Sequence, residues 1–399
     1  MKRINFLFTN DLHGNILAFN TITELKKEID NPLTIDTGDT FSENFYTNLT
    51  AELLKKHIDI WTPGNHDVDI IDSLPQSFLK GIYPTKLSSN ITNQKFIENI
   101  KDEIILDLSG VKTGFIAISG KGKDQNINYQ NQGRVIIHKI KKLRRNVDLL
   151  VLLSHVGLNE DIRIAEAAPE IDIIFGGHSH TRLKAPTLIN KTLILQSGGF
   201  GDLVGSLSLI IDKGRIKEFS TDFKNTYESE LQSDFLNILN KHRKKSKTIF
   251  KIPTTIAYKR KNTNPITDFI LKKMQELTKT NLSLVNSSTL NPLLIEGNIT
   301  KEDLAYTCGF DSTISIIKIS TEKLLKAVER SKDDHYTKLI ISSKEDITKK
   351  RNIKIAMPTF IAEGGHHSKS FFPEFRKAPR AETNIKISDL AKKLSEREV

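Results

Sequence analysis

Cysteine is nearly missing from this chain: one, Cys308, stands among 399 residues. A lone cysteine excludes internal disulfides and fits a reducing compartment. Long apolar runs are missing as well, none approaching the roughly 20 residues that span a bilayer. At the amino terminus Lys2 and Arg3 precede Ile4 to Phe8, a stretch shorter than the ~7–15 residues of a signal-peptide core. It runs directly into Asp11, so cleavage there would cut a strand bearing candidate ligands. The expectation is a cytoplasmic chain without a leader. No repeat or low-complexity segment is present. Acidic residues are outnumbered, 48 against 59 Lys and Arg, for a net charge of +11, which would steer anions by long-range field. With 38% apolar and 27% charged residues the chain reads as globular, and its length suggests two domains.

What the chain does have is seven residues able to bind metal, strung in five clusters along its first half. They are Asp11-Leu-His13, Gly38-Asp39, Gly64-Asn65-His66-Asp67, Ser154-His155 and Gly176-Gly177-His178-Ser179-His180. Each follows an apolar, largely β-branched run: Ile4 to Phe8, Leu33 to Ile35, Ile58 to Trp61, Leu149 to Leu153 and Ile171 to Phe175. Short runs of this kind, separated by amphipathic segments, predict buried parallel strands. Every cluster then lies at the carboxyl end of a strand, the edge of an α/β fold where ligands collect.

Imidazole and carboxylate without thiolate suit divalent zinc, manganese, iron or cobalt, and this many oxygen and nitrogen donors exceed what one tetrahedral ion needs. Two ions about 3.5–4 Å apart can clamp an in-line displacement at phosphorus, with a carboxylate as bridge and a shared water made acidic enough to ionise near neutral pH. Asp39 is the candidate bridge.

The first half resembles the calcineurin-type metallophosphoesterases, and Thr9-Asn10-Asp11-Leu12-His13-Gly14 resembles the 5′-nucleotidase and 2′,3′-cyclic-nucleotide phosphodiesterase branch. The resemblance implies that Asp11, His13, Asp39 and His180 hold one ion, while Asp39, Asn65, His155 and His178 hold the other. It implies that His66 is the catalytic histidine, facing the phosphoryl group beside Asn65, and that Asp69 orients it. A histidine paired with a carboxylate can stabilise a charged transition state or protonate the leaving oxygen. Asp67 to Asp72 are also placed to cap a helix start, and Asp67 reads as a cap or supporting partner. The chain departs from the family at Asp67-Val68, where Glu-Phe is more common, and at Pro63, which replaces an aliphatic residue.

The metal half is expected to span 1–225 as a four-layer α/β/β/α sandwich, with Val204 to Ile211 and Ile216 to Phe223 closing a second sheet against the first through a Lys213-Gly214 turn. Residues 226–251 read as a helical basic linker ending in Lys241-His-Arg-Lys-Lys-Ser-Lys247, whose cations complement a helix carboxyl terminus. A smaller α/β domain is expected over 252–399, with a helix over Thr263 to Thr278, strands at Leu282 to Val285 and Thr313 to Ile319, and a Thr300-capped helix start. Gly297-Asn-Ile-Thr-Lys-Glu-Asp-Leu304 and Phe360-Ile-Ala-Glu-Gly-Gly365 resemble the 5′-nucleotidase carboxyl-terminal domain. That resemblance makes Phe360 an aromatic platform for a base, although a Phe in an apolar strand is ordinarily core. Asn286-Ser-Ser-Thr-Leu-Asn291 lacks the arginine that the family uses to hold substrate. Adjacent His366 and His367 read as solvated loop residues rather than a third metal site.

The function expected is hydrolysis of nucleotide phosphate esters by a two-metal centre holding Mn2+, Zn2+, Co2+ or Fe2+, with a small-molecule partner rather than nucleic acid. Two rivals share parts of the pattern: a calcineurin-like DNA exonuclease, favoured by the basic balance, and a drifted metal-binding interaction protein without turnover.

Overall fold

A computed structural model describes all residues other than 43–44, 92–98, 124–131, 254, 256–264, 288, 292–293, 310–311, 334–336, 345, 366–371 and 394–399. The chain divides into two compact units, Met1–His242 and Arg243–Val399.

In the first unit the strands are β1 (Lys2–Thr9), β2 (Leu33–Asp36), β3 (Ile60–Trp61), β4 (Thr85–Lys86), β5 (Glu103–Leu108) and β6 (Val111–Ile118). They continue as β7 (Leu149–Ser154), β8 (Ile173–Phe175), β9 (Thr187–Ile189), β10 (Thr192–Leu195), β11 (Leu203–Asp212) and β12 (Arg215–Asn225). One sheet has the order β12-β11-β1-β2-β3-β4, with β1 to β4 parallel. The other has the order β5-β6-β7-β8-β10-β9, parallel from β6 to β10 and antiparallel at both edges.

Strand periodicity explains how two sheets and their helices share one apolar run. Phe6, Phe8, Ile35 and Ile60 from the first sheet meet Phe115, Val151, Leu153 and Phe175 from the second in a buried layer between them. Leu150 and Leu152, one residue out of phase, face outward onto Ile136, Ile140 and Leu143 of the helix Gln132–Arg144 and onto Ile164 of Leu158–Ala167. Both faces of β7 are therefore apolar, hence its unbroken Leu-Leu-Val-Leu-Leu sequence. On the far side of the first sheet, helix Leu17–Glu28 packs against β11 and against helix Thr47–His57. This is the expected α/β/β/α sandwich.

The expected placement of β11 and β12 needs correction. They form the predicted hairpin, but β11 pairs antiparallel with β1 and so extends the first sheet. The second sheet is completed by β10, which lies parallel to β8.

In the second unit, β13 (Thr248–Ile252), β14 (Leu282–Asn286), β15 (Gly297–Thr300), β16 (Thr313–Ser320), β17 (Leu339–Ser343), β18 (Asn352–Pro358) and β19 (Arg380–Lys386) are joined by helices. A sheet ordered β17-β14-β18-β16-β19 forms its centre, beside the pair β13-β15. Helix Pro265–Thr278 buries Ile266, Phe269, Ile270 and Met274 against it. Thr300 accepts from Asp303 N and Asp303 accepts from Thr300 N, the reciprocal cap predicted for helix Lys301–Cys308.

The basic run is not wholly solvated. Helix Ser233–Arg243 ends inside it, His242 is buried with its ring against Tyr46 at 6.2 Å, and Arg243 is 4% exposed. Arg243 donates from Nη2 and Nε to Asp303 Oδ1 at 2.6 and 3.0 Å, and to the carbonyls of Glu296 and Ile295. The capping carboxylate of one helix thus neutralises a cation that sequence context alone would leave in water.

His57, the last residue of helix Thr47–His57, is 5% exposed against Phe19. Its Nε2 is buried without a hydrogen-bond partner, and its Nδ1 is 3.5 Å from Thr23 Oγ1. Burial, followed by the nearby Lys56 and Lys26 charges, holds this imidazole down to about 4. Above the ordinary histidine value both folded and unfolded chains keep it neutral. As the pH falls from about 6.5 to about 4 only the unfolded chain takes the proton, so stability is lost across that window and levels off below it. The full loss is on the order of 3 kcal/mol. His57→Leu is expected to flatten this part of the profile, as measured by urea unfolding at pH 7, 5.5 and 4.

Candidate metal centre

Three loops at the rim of the first sheet are zipped together beyond the strand ends. Asp11 N donates to Gly38 O, His13 N to Asp39 O and Gly14 N to Thr40 O, at 2.8 to 2.9 Å. The third loop enters through Gly64, where a Cβ would lie 2.2 Å from Asp39 Oδ1. His66 N donates to that same Oδ1 at 2.8 Å. From the facing sheet come His155, directly after β7, and His178 and His180, after β8.

These loops gather donor atoms into two groups, Asp11 with His13 and His180, and Asp39 with His155 and His178. In the first, the Nε2 atoms of His13 and His180 are 3.1 Å apart, and His180 Nε2 is 3.2 Å from Asp11 Oδ1. In the second, His155 Nε2 is 3.1 Å from Asp39 Oδ2, and Asn65 Oδ1 is 2.8 Å from His178 Nδ1. Asp11 Oδ1 also lies 3.8 Å from His155 Nε2, so the groups adjoin. All seven predicted ligand positions are thus brought together. His66 is exposed beside them, its ring 5.4 Å from that of His13.

The donors fit divalent cations. Bonds of about 2.0–2.1 Å to a tetrahedral ion put neighbouring donors roughly 3.3 Å apart, close to the spacings found. Asp11 Oδ1 and His155 Nε2 are fully buried and make no well-aligned hydrogen bond, having only the ion-pair approaches to His180 and Asp39, a state that a cation would complete. Burial raises both the Asp11 and Asp39 carboxyls, but the charges of neighbouring histidines, His180 for Asp11 and His155 for Asp39, override it and hold both below the usual carboxylate range. His155 is depressed by burial, then pushed up to about 10 by Asp39 and Asp11. Burial, then the His180 charge, holds His13 down to about 4. A metal charge at His155 would take the place of a proton there, so metal binding is expected to release one.

Several residues support these donors, and of them Asp67 has a sequence signal, as a cap or supporting partner. His155 Nδ1 lies 2.6 Å from Thr37 O, leaving Nε2 to face the site. Asn10 donates to Asp11 Oδ2 and to Gly198 O. Asp67 Oδ1 accepts from Thr40 N and Phe41 N while its Oδ2 accepts from Gly64 N, tying the Asp39 loop to the Asn65-His66 turn. Buried Asp161 accepts from Ser154 Oγ and Gln196 Nε2, and Gln196 Oε1 accepts from Ser179 Oγ. That chain runs behind His155 and between His178 and His180. Phe200 places its ring 5.2 Å from His13 and 5.0 Å from His180.

Two predicted positions behave otherwise. Asp69 ends the short helix Asn65–Asp69 and accepts from Lys123 N. Among the described residues it forms no hydrogen bond or ion pair with His66. Phe360 lies in the helix Thr359–Ala362 after β18 ends at Pro358, half-buried against the core of the second unit. His366 and His367 lie outside the described residues.

An α/β/β/α sandwich with paired donor groups at its carboxyl rim defines the class, a hydrolase built around two adjoining metal sites. Residues 4–182 match the calcineurin-like phosphoesterase family and residues 245–343 the 5′-nucleotidase C-terminal domain. Residues 4–182 thus form a calcineurin-like phosphoesterase domain, of a family of hydrolases, and residues 245–343 a 5′-nucleotidase C-terminal domain. It is similar to the uncharacterized metallophosphoesterase YunD of Bacillus subtilis, 24% identical over 85% of this chain and 80% of that one. It is also similar to the trifunctional nucleotide phosphoesterase protein YfkN of the same organism, 22% identical over 82% of this chain but only 27% of that protein. An apyrase of Aedes aegypti is 29% identical over 52% of this chain and 45% of its own length. The fold is that of a 5′-nucleotidase precursor from Thermus thermophilus, with a TM-score of 0.60 at 17% identity over 99% of this chain and 96% of that one. Among the described residues no helix is long and apolar enough to cross a membrane.

Gly177 offers a test of the donor geometry. A Cβ there would lie 2.8 Å from His155 Nδ1 and 3.2 Å from Asp11 Oδ2, reaching both groups. Gly177→Ala is expected to weaken manganese binding at least tenfold in calorimetry while circular dichroism reports an unchanged fold.

Proposed function

We propose that the chain hydrolyses phosphate esters of nucleotides, as a 5′-nucleotidase, a cyclic-nucleotide phosphodiesterase or both. The observation that carries this reading is the convergence of seven oxygen and nitrogen donors in two adjoining groups with an exposed histidine beside them. Asp11, His13 and His180 would hold one divalent ion, Asn65, His155 and His178 the other, with Asp39 shared between them. Such a pair, when bound, supplies Lewis acidity toward phosphoryl oxygens and lowers the pKa of coordinated water. Zinc, manganese, cobalt and iron all suit these donors.

The remaining steps belong to the chain. The Asp39 carboxylate fixes the backbone at residue 66, so His66 stands at the open side where a phosphoryl group enters. Its imidazole is proposed to bind a non-bridging oxygen and to protonate the departing alcohol, with Asn65 holding the same group from the other side. Asp69 would support this arrangement by fixing Lys123 and the turn on which both residues stand.

Nucleotides are favoured over nucleic acid by the match to the 5′-nucleotidase second domain and by the names of relatives, which include a trifunctional nucleotide phosphoesterase and a 5′-nucleotidase. Phe360 is proposed as an aromatic surface for the base, worth about 1–3 kcal/mol if stacking here resembles that on nucleic-acid binders. The lone cysteine supports a cytoplasmic location.

His66→Ala is expected to retain both metals, measured by elemental analysis after dialysis, while kcat against a nucleoside monophosphate falls at least a hundredfold. Asp39→Ala is expected to lose metal as well as turnover. Equal metal loss in both variants would remove the role given to His66.

A further inference from the structure

Phe200 stands in a run of glycines, Gly198-Gly199-Phe200-Gly201, between β10 and β11. Its φ is 56°, in the left-handed region that a bulky side chain avoids. Such an outlier persists only where its surroundings over-determine it, and it points to a use for the side chain. Here the surroundings are two asparagines from the loop after β1. Asn10 Oδ1 accepts from Ser197 N and Ser197 Oγ at 2.7 and 2.8 Å, and Asn10 Nδ2 donates to Gly198 O. Asn15 Nδ2 donates to Phe200 O and Gly201 O at 2.8 and 3.1 Å. A Cβ at Gly199 would lie 2.6 Å from His180 Cγ, so the segment passes against that imidazole with no room for a side chain.

The strained conformation completes a triangle of rings. Phe200 lies 5.2 Å from His13 and 5.0 Å from His180, whose own rings are 5.1 Å apart, all measured between centroids. These two imidazoles belong to one donor group, and they differ from His155 in what steadies them. His155 Nδ1 lies 2.6 Å from Thr37 O, the kind of carbonyl partner that fixes the rotation of a ligating ring. Among the described residues, no carbonyl or carboxylate serves His13 Nδ1 in this way, and the one hydrogen-bond approach to the ring is between its Nε2 and His180 Nε2 at 3.1 Å. A ring held only at that edge can turn about its side-chain torsions and carry Nε2 away from Asp11.

We propose that Phe200 is a positioning residue for the ion assigned to Asp11, His13 and His180, its ring holding both imidazoles in their ligating orientation. The proposal rests on that assignment of donors to two ions. Packing by a rigid ring takes the place of the carbonyl that orients His155, and the strained backbone at residue 200 is what aims the ring. An apolar side chain at the edge of a metal site also limits solvent access to the ligands. The second group has no such cover, since His178 is exposed. Phe200 therefore acts on one ion and not on the other.

The test titrates manganese into the metal-free full chain by calorimetry, comparing wild type, Phe200→Gly and Phe200→Tyr, and repeats the comparison in His178→Ala and His13→Ala backgrounds. Phe200→Gly removes the ring at a φ that glycine adopts freely, which offsets the lost packing. The thermal midpoint of the metal-free chain is therefore expected to stay within about 3 °C of wild type, while one manganese site weakens at least tenfold and the other by less than threefold. The loss should persist in the His178→Ala background, where the first group is intact, and vanish in the His13→Ala background, where that group is already broken. Phe200→Tyr, which keeps the ring, should bind both ions within threefold of wild type. Unchanged binding in Phe200→Gly, equal weakening of both sites, or a loss shared by Phe200→Tyr overturns the assignment. So does a thermal midpoint that falls in step with binding, because the ring would then serve the fold alone. A wild type that binds two ions in this Phe200-dependent way and cleaves no nucleotide removes the hydrolytic reading and keeps this one.

Discussion

Two buried carboxylates, Asp11 and Asp39, face the interior from loops that run side by side, and the rim depends on how their charge is balanced. They are 0% and 1% exposed. Removing an ionised carboxylate from water costs several kcal/mol even after relaxation, so neither position is tolerable without a nearby cation. The sandwich supplies the means. Because β1 and β2 are adjacent and parallel, their loops emerge on the same edge, and the second sheet presents His155, His178 and His180 to that edge from across the core. A single sheet would give the carboxylates. Only two facing sheets bring the imidazoles to them.

The loops reach this arrangement in a strained conformation. Asp11, His13, Asp39, His178 and His180 all have positive φ, between 46° and 74°. The left-handed region costs non-glycine residues about 1–2 kcal/mol each, and five such residues together approach the net stability of an ordinary domain, about 5–15 kcal/mol. Strain on this scale persists only where surrounding contacts over-determine it. Here those contacts are visible as the ladder from Asp11, His13 and Gly14 to the Asp39 loop, and as the glycine approaches at Gly38, Gly64 and Gly177. The same conformation turns the side chains of the five toward a common centre rather than along the strands, which links backbone strain to the chemistry of the site.

Much of this was legible in the sequence because it follows from local rules. Unbroken apolar runs gave the buried strands, and short polar strings placed the donors at strand ends. What escaped was set by segments far apart in the chain. A Lys-Gly turn identifies the β11-β12 hairpin but carries no information about which sheet it joins; that depends on its pairing with β1. Asp67 reads as a helix cap and is one, yet its other oxygen ties down Thr40 and Phe41, a contact no spacing rule contains. Asp161 and Gln196 lie in ordinary amphipathic sequence, and only the fold sets them behind the histidines. Arg243 looked solvated because its counter-ion, Asp303, is 60 residues away.

Within the second unit, two polar side chains that follow β14 bond inside that unit. Thr289 Oγ1 donates to Asn286 Oδ1, and Asn291 Nδ2 donates at 3.0 Å to Tyr306 O in the helix Lys301–Cys308. Thr289 and Asn291 are both buried, so breaking either bond without a replacement would leave a buried polar group unpaired. The second contact joins segments apart in the chain, and no local pattern in Asn286-Ser-Ser-Thr-Leu-Asn291 announces it.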